Sequence, residues 1–313
     1  MLRRLFPVLV GSVMLLTACT GTPAAITPAD DQLSVIATTS IVADVVSQIA
    51  GERAVVDTLV PIGVDAHSFQ PNPQDLARVA SADLIVINGA GYEEFLTSLL
   101  ANAGGSAEVI DLSAGIALRE LAEGEEHAEG EEHAEGEEHG LDPHVWTDPS
   151  NVKYWSQTLA EALSRIDPAG ATTYQSNAAA YNAELDTLDG WIAEQFAQVP
   201  AERRLLVTDH AVFGYFADRY GLQQIGTVLP GFSSSAEPSA QELAALQDRI
   251  TEFAVPAIFV GDVANQNLAE RLAADTGVRI VPILTESLSS DDSAATYLDY
   301  MRSNVRTIVE ALR

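Results

Sequence analysis

The chain is most constrained by a repeated order of short apolar runs and amphipathic segments, which occurs once in each half of the sequence. Val, Ile and Leu are concentrated in runs at 34–39, 55–60, 84–87 and 109–112. Helical patterns lie between and after them, at 41–50, 73–80 and 92–101. Apolar runs without polar alternation are typical of strands buried on both faces, and intervening helices indicate a parallel sheet. Residues 33–166 are therefore predicted to form an α/β lobe.

The same order returns in the second half of the chain. Apolar runs occur at 204–207, 224–229, 257–260 and 279–284. Helical patterns occur at 212–220, 240–253, 268–274 and 297–312. The fold class is accordingly predicted as α/β, with a second, similar parallel-sheet lobe over residues 200–313.

A single long helix is predicted over residues 167–199, between the two lobes. Asp167 followed by Pro168 is a helix start, since the first residue can cap and proline suits the first helical position. Apolar residues then recur every three or four positions, at Tyr174, Ala178, Tyr181, Leu185, Leu188, Ile192 and Phe196. A helix of that length spans about 45 Å and is stiffer than a Gly/Ser hinge, so we expect little movement of the lobes.

The beginning of the chain has the layout of a secretory signal. Arg3 and Arg4 precede a short apolar run, and Leu16-Thr17-Ala18-Cys19 resembles the bacterial lipoprotein cleavage box. Residues 1–19 are thus predicted to be a signal peptide, with lipid attached to Cys19 and a flexible tether at 20–32. The protein is expected to be exported and either lipid-anchored at the outer face of the cytoplasmic membrane or periplasmic.

Charge and cysteine content restrict the partners and the chemistry. The chain has 45 acidic and 16 basic residues, a formal net charge of −29, and a single cysteine, which lies in the leader. Such a surface repels nucleic acid and anionic lipid and attracts cations. The exported body has no disulfide, so its core must hold it together; we expect a monomer.

Histidine placement points to a metal site. Three of the six histidines lie in an acidic repeat, and the other three, His67, His144 and His210, each follow a predicted strand. Ligands of open α/β sheets bind outside the carboxyl ends of the strands, so two facing lobes would bring these loops to one cleft. Any one of them taken singly could instead be an ordinary loop histidine. Glu286, just past the last strand, is the predicted fourth ligand, and Asp209 is the second choice.

Four ordered motifs resemble the zinc/manganese solute-binding receptors of bacterial ABC importers. They read DAHSFQPNP at 65–73, DPHVWTDP at 142–149, DHAVFGYF at 209–216 and TESL at 285–288. The resemblance covers essentially all of the mature chain. It implies two α/β lobes joined by a long backbone helix, a metal ion in the interlobe cleft, and delivery of that ion to a membrane permease.

Carried over by position, the motifs make His67, His144 and His210 nitrogen ligands and put Glu286 where the family usually has aspartate. Manganese-type relatives tend to have glutamate at the third position, where this chain has His210. Three imidazoles and one carboxylate also suit Zn²⁺ better than Mn²⁺, which favours oxygen ligands. The prediction is a receptor of the zinc-uptake subtype, with a manganese receptor of the same family as the alternative.

The acidic repeat at 123–139 is predicted to be a disordered loop inserted before the second motif. Its histidines, His127, His133 and His139, are either incidental to a solvated acidic insert or weak auxiliary zinc ligands. The resemblance favours the auxiliary sites, because zinc-type receptors often carry a His- and acid-rich loop at this point.

Two other functions remain open from the residues alone. A zinc hydrolase would use three histidines and a catalytic water, with Glu286 as general base, but the chain has no HExxH-type motif. A surface adhesin would hold metal only for structure and would unfold when the metal is removed. The chain is predicted not to be an enzyme.

Overall fold

The computed structural model of the protein describes residues 32–120, 140–232, 234, 236–261, 266–291 and 293–313. Outside the described residues lie the predicted signal peptide with Cys19, the predicted tether except Gln32, and the acidic repeat with its three histidines. Among the residues that are described, no helix is both long enough and apolar enough to cross a membrane.

The first lobe is built on a parallel sheet of four short strands with helices between them. Its strands are β1 (Leu33–Ala37), β2 (Ala54–Thr58), β3 (Leu84–Ile87) and β4 (Glu108–Asp111), and its first helices are α1 (Ser40–Ala50), α2 (Pro73–Ala80) and α3 (Leu96–Ala103). The strand order is β2-β1-β3-β4, so β1 is central and β3 lies on the side opposite β2. The loops that follow β1 and β3 therefore open at the point where the direction of winding changes, which is where ligands of such sheets bind.

Two consecutive helices, α4 (Pro149–Ile166) and α5 (Ala171–Phe196), follow the first lobe. They pack against each other along much of their length, and a short 3-10 turn at Pro168–Gly170 joins them. At 1.5 Å per residue, the 26 residues of α5 span about 39 Å. The buried side chains of α5 are the predicted apolar stripe, from Tyr174 to Phe196.

The second lobe repeats the arrangement of the first. Its elements are β5 (Leu205–Thr208), α6 (Gly214–Tyr220), β6 (Gln223–Thr227), α7 (Ala240–Glu252), β7 (Ala257–Gly261), α8 (Asn267–Thr276), β8 (Arg279–Ile283) and α9 (Tyr297–Leu312). The order of its parallel sheet is β6-β5-β7-β8, matching the first sheet. The prediction of two similar parallel-sheet lobes joined by a long helix is confirmed.

One hydrophobic core extends across both lobes. It includes side chains of α1, α4, α5, α6 and α9 together with residues of both sheets, and a smaller core lies between the second sheet, α7 and α8. Helix α9 belongs to the second half of the chain but packs against α1 and α5 as well as β8. At its start, the Tyr297 backbone N–H donates to Asp44 of α1 at 2.8 Å. The lobes are therefore joined by packed helices as well as by the connecting chain.

Three helices differ by more than two residues from the sequence-based prediction. The linking helix, predicted over 167–199, is a 3-10 turn at Pro168–Gly170 followed by α5 (Ala171–Phe196). Helix α4 has no counterpart in the sequence-based prediction, since an Asp-Pro step is equally compatible with an extended loop. In the structure Asp148 caps the helix by accepting from Ser150 N at 2.7 Å, and Pro149 is its first residue. Helix α3 begins at Leu96 instead of residue 92. The three residues at 89–91 all have positive φ, and the Glu93 carboxylate accepts the N–H groups of Asn88 and Gly89. Residues 88–93 therefore form a turn, and the helix begins after it.

Candidate metal centre

Four predicted side chains converge between the two lobes. His67 lies in the loop after β2, His144 lies just before α4, His210 follows β5, and Glu286 follows β8. One candidate ligand atom from each lies within 4.8 Å of those of the other three. Their side chains are between 0% and 4% exposed, so the cluster is shielded from bulk water. The structure thus brings together the four side chains that the sequence analysis named.

His67 is held by the loop that contains it. The Asp65 carboxylate accepts from the His67 backbone N–H at 2.8 Å and from the Ser68 hydroxyl, which closes a tight turn just before the imidazole. Ser234 of the second lobe also donates to Asp65. The imidazole packs edge-on against the ring of Tyr92, with centroids 4.8 Å apart. The turn and the aromatic neighbour together fix the direction of His67 Nε2.

His144 is oriented by the residues on both sides of it. Asp142 accepts from the His144 backbone N–H at 3.0 Å, and the same oxygen lies 2.9 Å from His144 Nδ1. The Thr147 hydroxyl donates to the His144 carbonyl within a 3-10 turn at Val145–Thr147. A carboxylate at Nδ1 favours the tautomer whose Nε2 is free to bind a metal ion.

His210 has a similar neighbour in Asp209. Asp209 Oδ1 lies 3.2 Å from His210 Nδ1, and the Asp209 carboxylate accepts the backbone N–H groups of His210 and Gly261 at 2.9 Å each. Asp209 thus lies behind the imidazole, outside the group of four converging side chains. The second-choice ligand of the sequence analysis occupies a supporting position in this geometry, and Glu286 occupies the converging one.

Glu286 is placed by a segment that contacts the first lobe at several points. The backbone N–H of Leu288 donates to Ser40 Oγ at 2.9 Å, and the hydroxyl of Ser287 accepts from Gly63 N at 3.1 Å. The carbonyl of Thr285 accepts from Trp146 Nε1 at 3.3 Å. Glu286 Oε1 lies 3.0 Å from His210 Nε2 and 3.5 Å from His67 Nε2.

Burial and mutual repulsion control the protonation of the histidines. Burial, together with the two other imidazoles, lowers the pKa of His67 to about 3. Burial and His210 hold the pKa of His144 well below its usual value. For His210, burial lowers the pKa, but the carboxylates of Asp209 and Glu286 outweigh it and raise the pKa to about 10. Two imidazoles are therefore neutral at pH 7 and ready to bind a cation, whereas His210 carries a proton that a metal ion must displace.

The acidic groups respond to the same environment. Burial raises the pKa of Glu286 to about 7, against the opposing effect of His210. Burial also raises the pKa of Asp142 to about 7, although the His144 backbone N–H and Arg119 act in the opposite direction. A divalent cation at the centre of the cluster would favour the ionised form of Glu286 and lower its pKa.

The chemistry and spacing of the cluster fit a transition-metal ion. Among the described residues, the Nε2 atoms of His67, His144 and His210 and both carboxylate oxygens of Glu286 are buried and make no well-formed hydrogen bond; His210 Nε2 and Glu286 Oε1 face each other at 3.0 Å. Leaving such groups unsatisfied is costly, so their concentration at one point indicates a ligand. Two atoms bonded to one tetrahedral zinc ion lie about 3.3–3.6 Å apart. The cluster, whose ligand atoms lie within 4.8 Å of one another, would therefore contract by up to about 1.5 Å around the ion.

The supporting residues were not predicted, although part of their signal is in the sequence. Asp65 precedes His67 by two residues and Asp142 precedes His144 by two, and in both cases the carboxylate accepts the histidine N–H. This Asp-x-His spacing identifies both carboxylates. Tyr92, whose ring centroid is 4.8 Å from that of His67 and 6.0 Å from that of His144, has no comparable signal.

Two parallel-sheet lobes, a long connecting helix and a buried cluster of histidines and glutamate between the lobes define a metal-binding receptor. A family model described as the periplasmic component A of the zinc-uptake complex, ZnuA, matches residues 35–311. The chain belongs to this family of metal-binding substrate-binding proteins of ABC transporters, which are transport receptors and not enzymes.

Individual relatives differ in the metal that their names give. The chain is 33% identical over 282 residues to the manganese-binding lipoprotein MntA of Halalkalibacterium halodurans, covering 90% of this chain and 88% of the relative. It is 34% identical over 286 residues to the high-affinity zinc uptake protein ZnuA of Bacillus subtilis, with the same coverage. The solved structure of the periplasmic zinc-binding protein TroA of Treponema pallidum has a TM-score of 0.80 at 29% identity, covering 90% of this chain and 99% of TroA.

Proposed function

We propose that this protein is an extracytoplasmic receptor that binds Zn²⁺ through His67, His144, His210 and Glu286 and delivers it to the membrane permease of an ABC importer. The observation that supports this most directly is the set of buried nitrogen and oxygen atoms that make no well-formed hydrogen bond and lie within 4.8 Å of one another.

The donor set is the argument for zinc. Three imidazoles and one carboxylate match the nitrogen-rich, four-coordinate sites that Zn²⁺ prefers, whereas Mn²⁺ favours six oxygen-rich ligands. Manganese is the second candidate, because several of the similar relatives are named as manganese-binding or manganese-transporter lipoproteins. Glu286 offers two oxygens and could raise the coordination number above four, which is the feature of this site that suits Mn²⁺ best.

The segments before the folded body are proposed to serve export and membrane anchoring. We assign residues 1–19 to a signal peptide, Cys19 to lipid attachment and 20–32 to a tether. The folded receptor then comprises the lobes 33–166 and 200–313 with the connecting segment 167–199, and acts as a monomer. The histidines of the 123–139 repeat provide weak auxiliary zinc sites near the second motif.

Metal competition on the mature protein tests the metal and the ligands together. Zn²⁺ and Mn²⁺ are titrated against each other on the wild type and on His67→Ala, His144→Ala, His210→Ala and Glu286→Gln, with Glu194→Gln on the exposed face of α5 as the control. We expect Zn²⁺ to win and each site variant to lose more than about 100-fold in affinity, beyond what loss of a supporting residue costs. A preference for Mn²⁺ would refute the metal assignment, and a full-affinity variant would refute that ligand.

Chelation of the wild type distinguishes a transport site from a structural one. Apolar side chains from both lobes form one continuous core, so the metal-free protein should keep its fold and lose only part of its thermal stability. Unfolding on chelation would favour the adhesin hypothesis, in which the metal is structural. Metal-dependent hydrolysis that disappears in Glu286→Gln would instead favour an enzyme.

A further inference from the structure

Arg119 connects the second lobe to the carboxylate that orients His144. It lies after β4, and its Nη1 donates to Asp142 Oδ2 at 3.0 Å while its Nε donates to Asp218 Oδ2 on α6 at 2.6 Å. The side chain of Asp142 is fully buried, that of Arg119 is 23% exposed, and that of Asp218 is 67% exposed. The bond to Asp142 is thus shielded from water, whereas the bond to Asp218 is at the surface and contributes little energy.

Tyr215 of α6 adds two uncharged hydrogen bonds to the same connection. Its hydroxyl donates to the Asp142 carbonyl at 2.8 Å and accepts from the Arg119 backbone N–H at 3.0 Å. The guanidinium also lies over the Tyr215 ring, 5.7 Å from the centroid. One side chain of the second lobe therefore holds both members of the Arg119–Asp142 pair.

Asp142 uses its two carboxylate oxygens for different purposes. Oδ2 is bonded to Arg119, and Oδ1 accepts from the His144 backbone N–H and lies 2.9 Å from Nδ1 of the same imidazole. A carboxylate held at one oxygen by a planar guanidinium cannot rotate freely, so its other oxygen stays in the plane that His144 requires.

The start of α6 is shaped to admit this pair. A Cβ atom on Gly214 would lie 1.8 Å from Arg119 Nη1 and 2.6 Å from Asp142 Oδ2, so no other residue fits there without displacing the ion pair. The φ of Gly214 is not in the left-handed region, so glycine is needed here for space and not for backbone conformation.

We propose that Arg119 is a positioning residue of the metal site, which fixes His144 through Asp142 and makes that position depend on the docking of α6. This inference rests on the proposed function. Arg119 thus influences the dissociation rate of the metal ion indirectly, through Asp142. If α6 is displaced, the Arg119–Asp142 pair loosens, His144 loses its fixed orientation, and the ion leaves faster.

The test compares Arg119→Gln and Arg119→Lys with a matched control, Arg53→Gln. Arg53 pairs with Asp167 at 2.6 Å and is similarly exposed, at 34%, but that pair is away from the cluster. Zinc affinity and the rate of zinc transfer to an excess of chelator are measured for each loaded protein. Nitrogen-detected NMR of the metal-free proteins reports the tautomer of His144.

We expect Arg119→Gln to bind zinc about 10- to 100-fold more weakly, with most of the loss in faster dissociation, as for other residues that orient a metal ligand. Its His144 should show a mixture of tautomers. Arg119→Lys should lie between Arg119→Gln and the wild type, because the charge is kept and the planar fork is lost. Arg53→Gln should release zinc at the wild-type rate with the wild-type tautomer.

Equal dissociation rates and tautomers in Arg119→Gln and Arg53→Gln would overturn the inference. If Arg119→Gln does not fold, Tyr215→Phe decides, since it removes the two hydrogen bonds from α6 without changing any charge. Several-fold faster release supports the inference, and an unchanged rate overturns it. A wild type that binds no stoichiometric zinc would sink the proposed function itself, whereas a wild type that binds zinc with unaffected variants would sink only the role of Arg119.

Discussion

The protonation of His210 predicts a steep and specific pH dependence of metal binding. With its pKa raised to about 10 by Asp209 and Glu286, His210 carries a proton at every pH between 6 and 8. His67 and His144, whose pKa values are lowered, carry none at pH 7. Glu286, with a pKa of about 7, is half protonated there. Because a metal ligand must be deprotonated, binding expels the protons of His210 and Glu286.

The size of the effect follows from these values. Binding should release about two protons at pH 6 and about one at pH 8, where Glu286 is already ionised. The slope of log affinity against pH equals the number of protons released, so affinity rises about 1000-fold from pH 6 to pH 8. About 100-fold of this comes from His210 and about tenfold from Glu286, together about 4 kcal/mol. Affinity should keep rising above pH 8 until His210 titrates in the metal-free protein.

Calorimetry in buffers of different ionisation enthalpy measures the released protons directly. At pH 6 we expect about two protons for the wild type and about one, from Glu286 alone, for His210→Asn. Because this variant also removes the imidazolium that lowers the pKa of Glu286, its affinity should change by at most about 100-fold between pH 6 and pH 8. Buffers that do not bind zinc and a fixed ionic strength keep the comparison clean. A wild-type change below tenfold, or no proton release at pH 8, would refute the assignment of a charged His210 in the metal-free site.

Four further predictions follow from other parts of the molecule. Deletion of 123–139 should leave the affinity of the cleft unchanged and lower the zinc stoichiometry; an unchanged stoichiometry in calorimetry rejects the auxiliary sites. Small-angle scattering should give closely similar radii of gyration for the metal-free and loaded proteins, because α5 and one core span both lobes, and a large change would contradict the stiff connection. Leu185→Ala on α5 should lower the free energy of unfolding by about 2–5 kcal/mol in denaturant titrations, since Leu185 is fully buried; a loss below about 1 kcal/mol would show that this face of α5 is not tightly packed. Cys19→Ser should move the protein from the membrane fraction to the soluble fraction, and retention at the membrane would argue against lipid attachment.

The sequence predicted the lobes and the converging loops because both depend on local patterns. Continuous apolar runs identify buried strands wherever they occur, and the histidine loops are equivalent once the strands are assigned. Helix α4 buries apolar residues with helical spacing, at Val152, Trp155, Leu159 and Leu163, but the Asp148-Pro149 step that begins it is equally compatible with an extended loop. The dipeptide Asp-Pro occurs both where a helix begins, with proline at the first helical position, and where a helix ends, so the dipeptide alone does not distinguish the two.

Other features depend on contacts between distant parts of the chain and left no local pattern. That Asp209 lies behind His210 is set by Gly261, 52 residues away, whose N–H turns the carboxylate away from the cluster. The packing of α9 on α1 likewise depends on Asp44 and Tyr297, which are far apart in sequence. The motif shows that this chain has Glu286 where the family usually has aspartate. The position of the Glu286 carboxylate, however, depends on how the neighbouring segment packs against Ser40.

Residues Glu120 and Leu141 form an isolated antiparallel bridge, and Asp142 N donates to the Arg119 carbonyl at 2.8 Å. Residues 120 and 141 are therefore held side by side, next to the second metal-binding motif. Once such a pair of ends is fixed, doubling the length of the segment between them costs only about 0.6 kcal/mol of closure entropy. The bridge makes residues 121–139 a natural grafting position, where a sensor peptide or a chelating tag could replace the acidic repeat and report on the cleft from a few residues away.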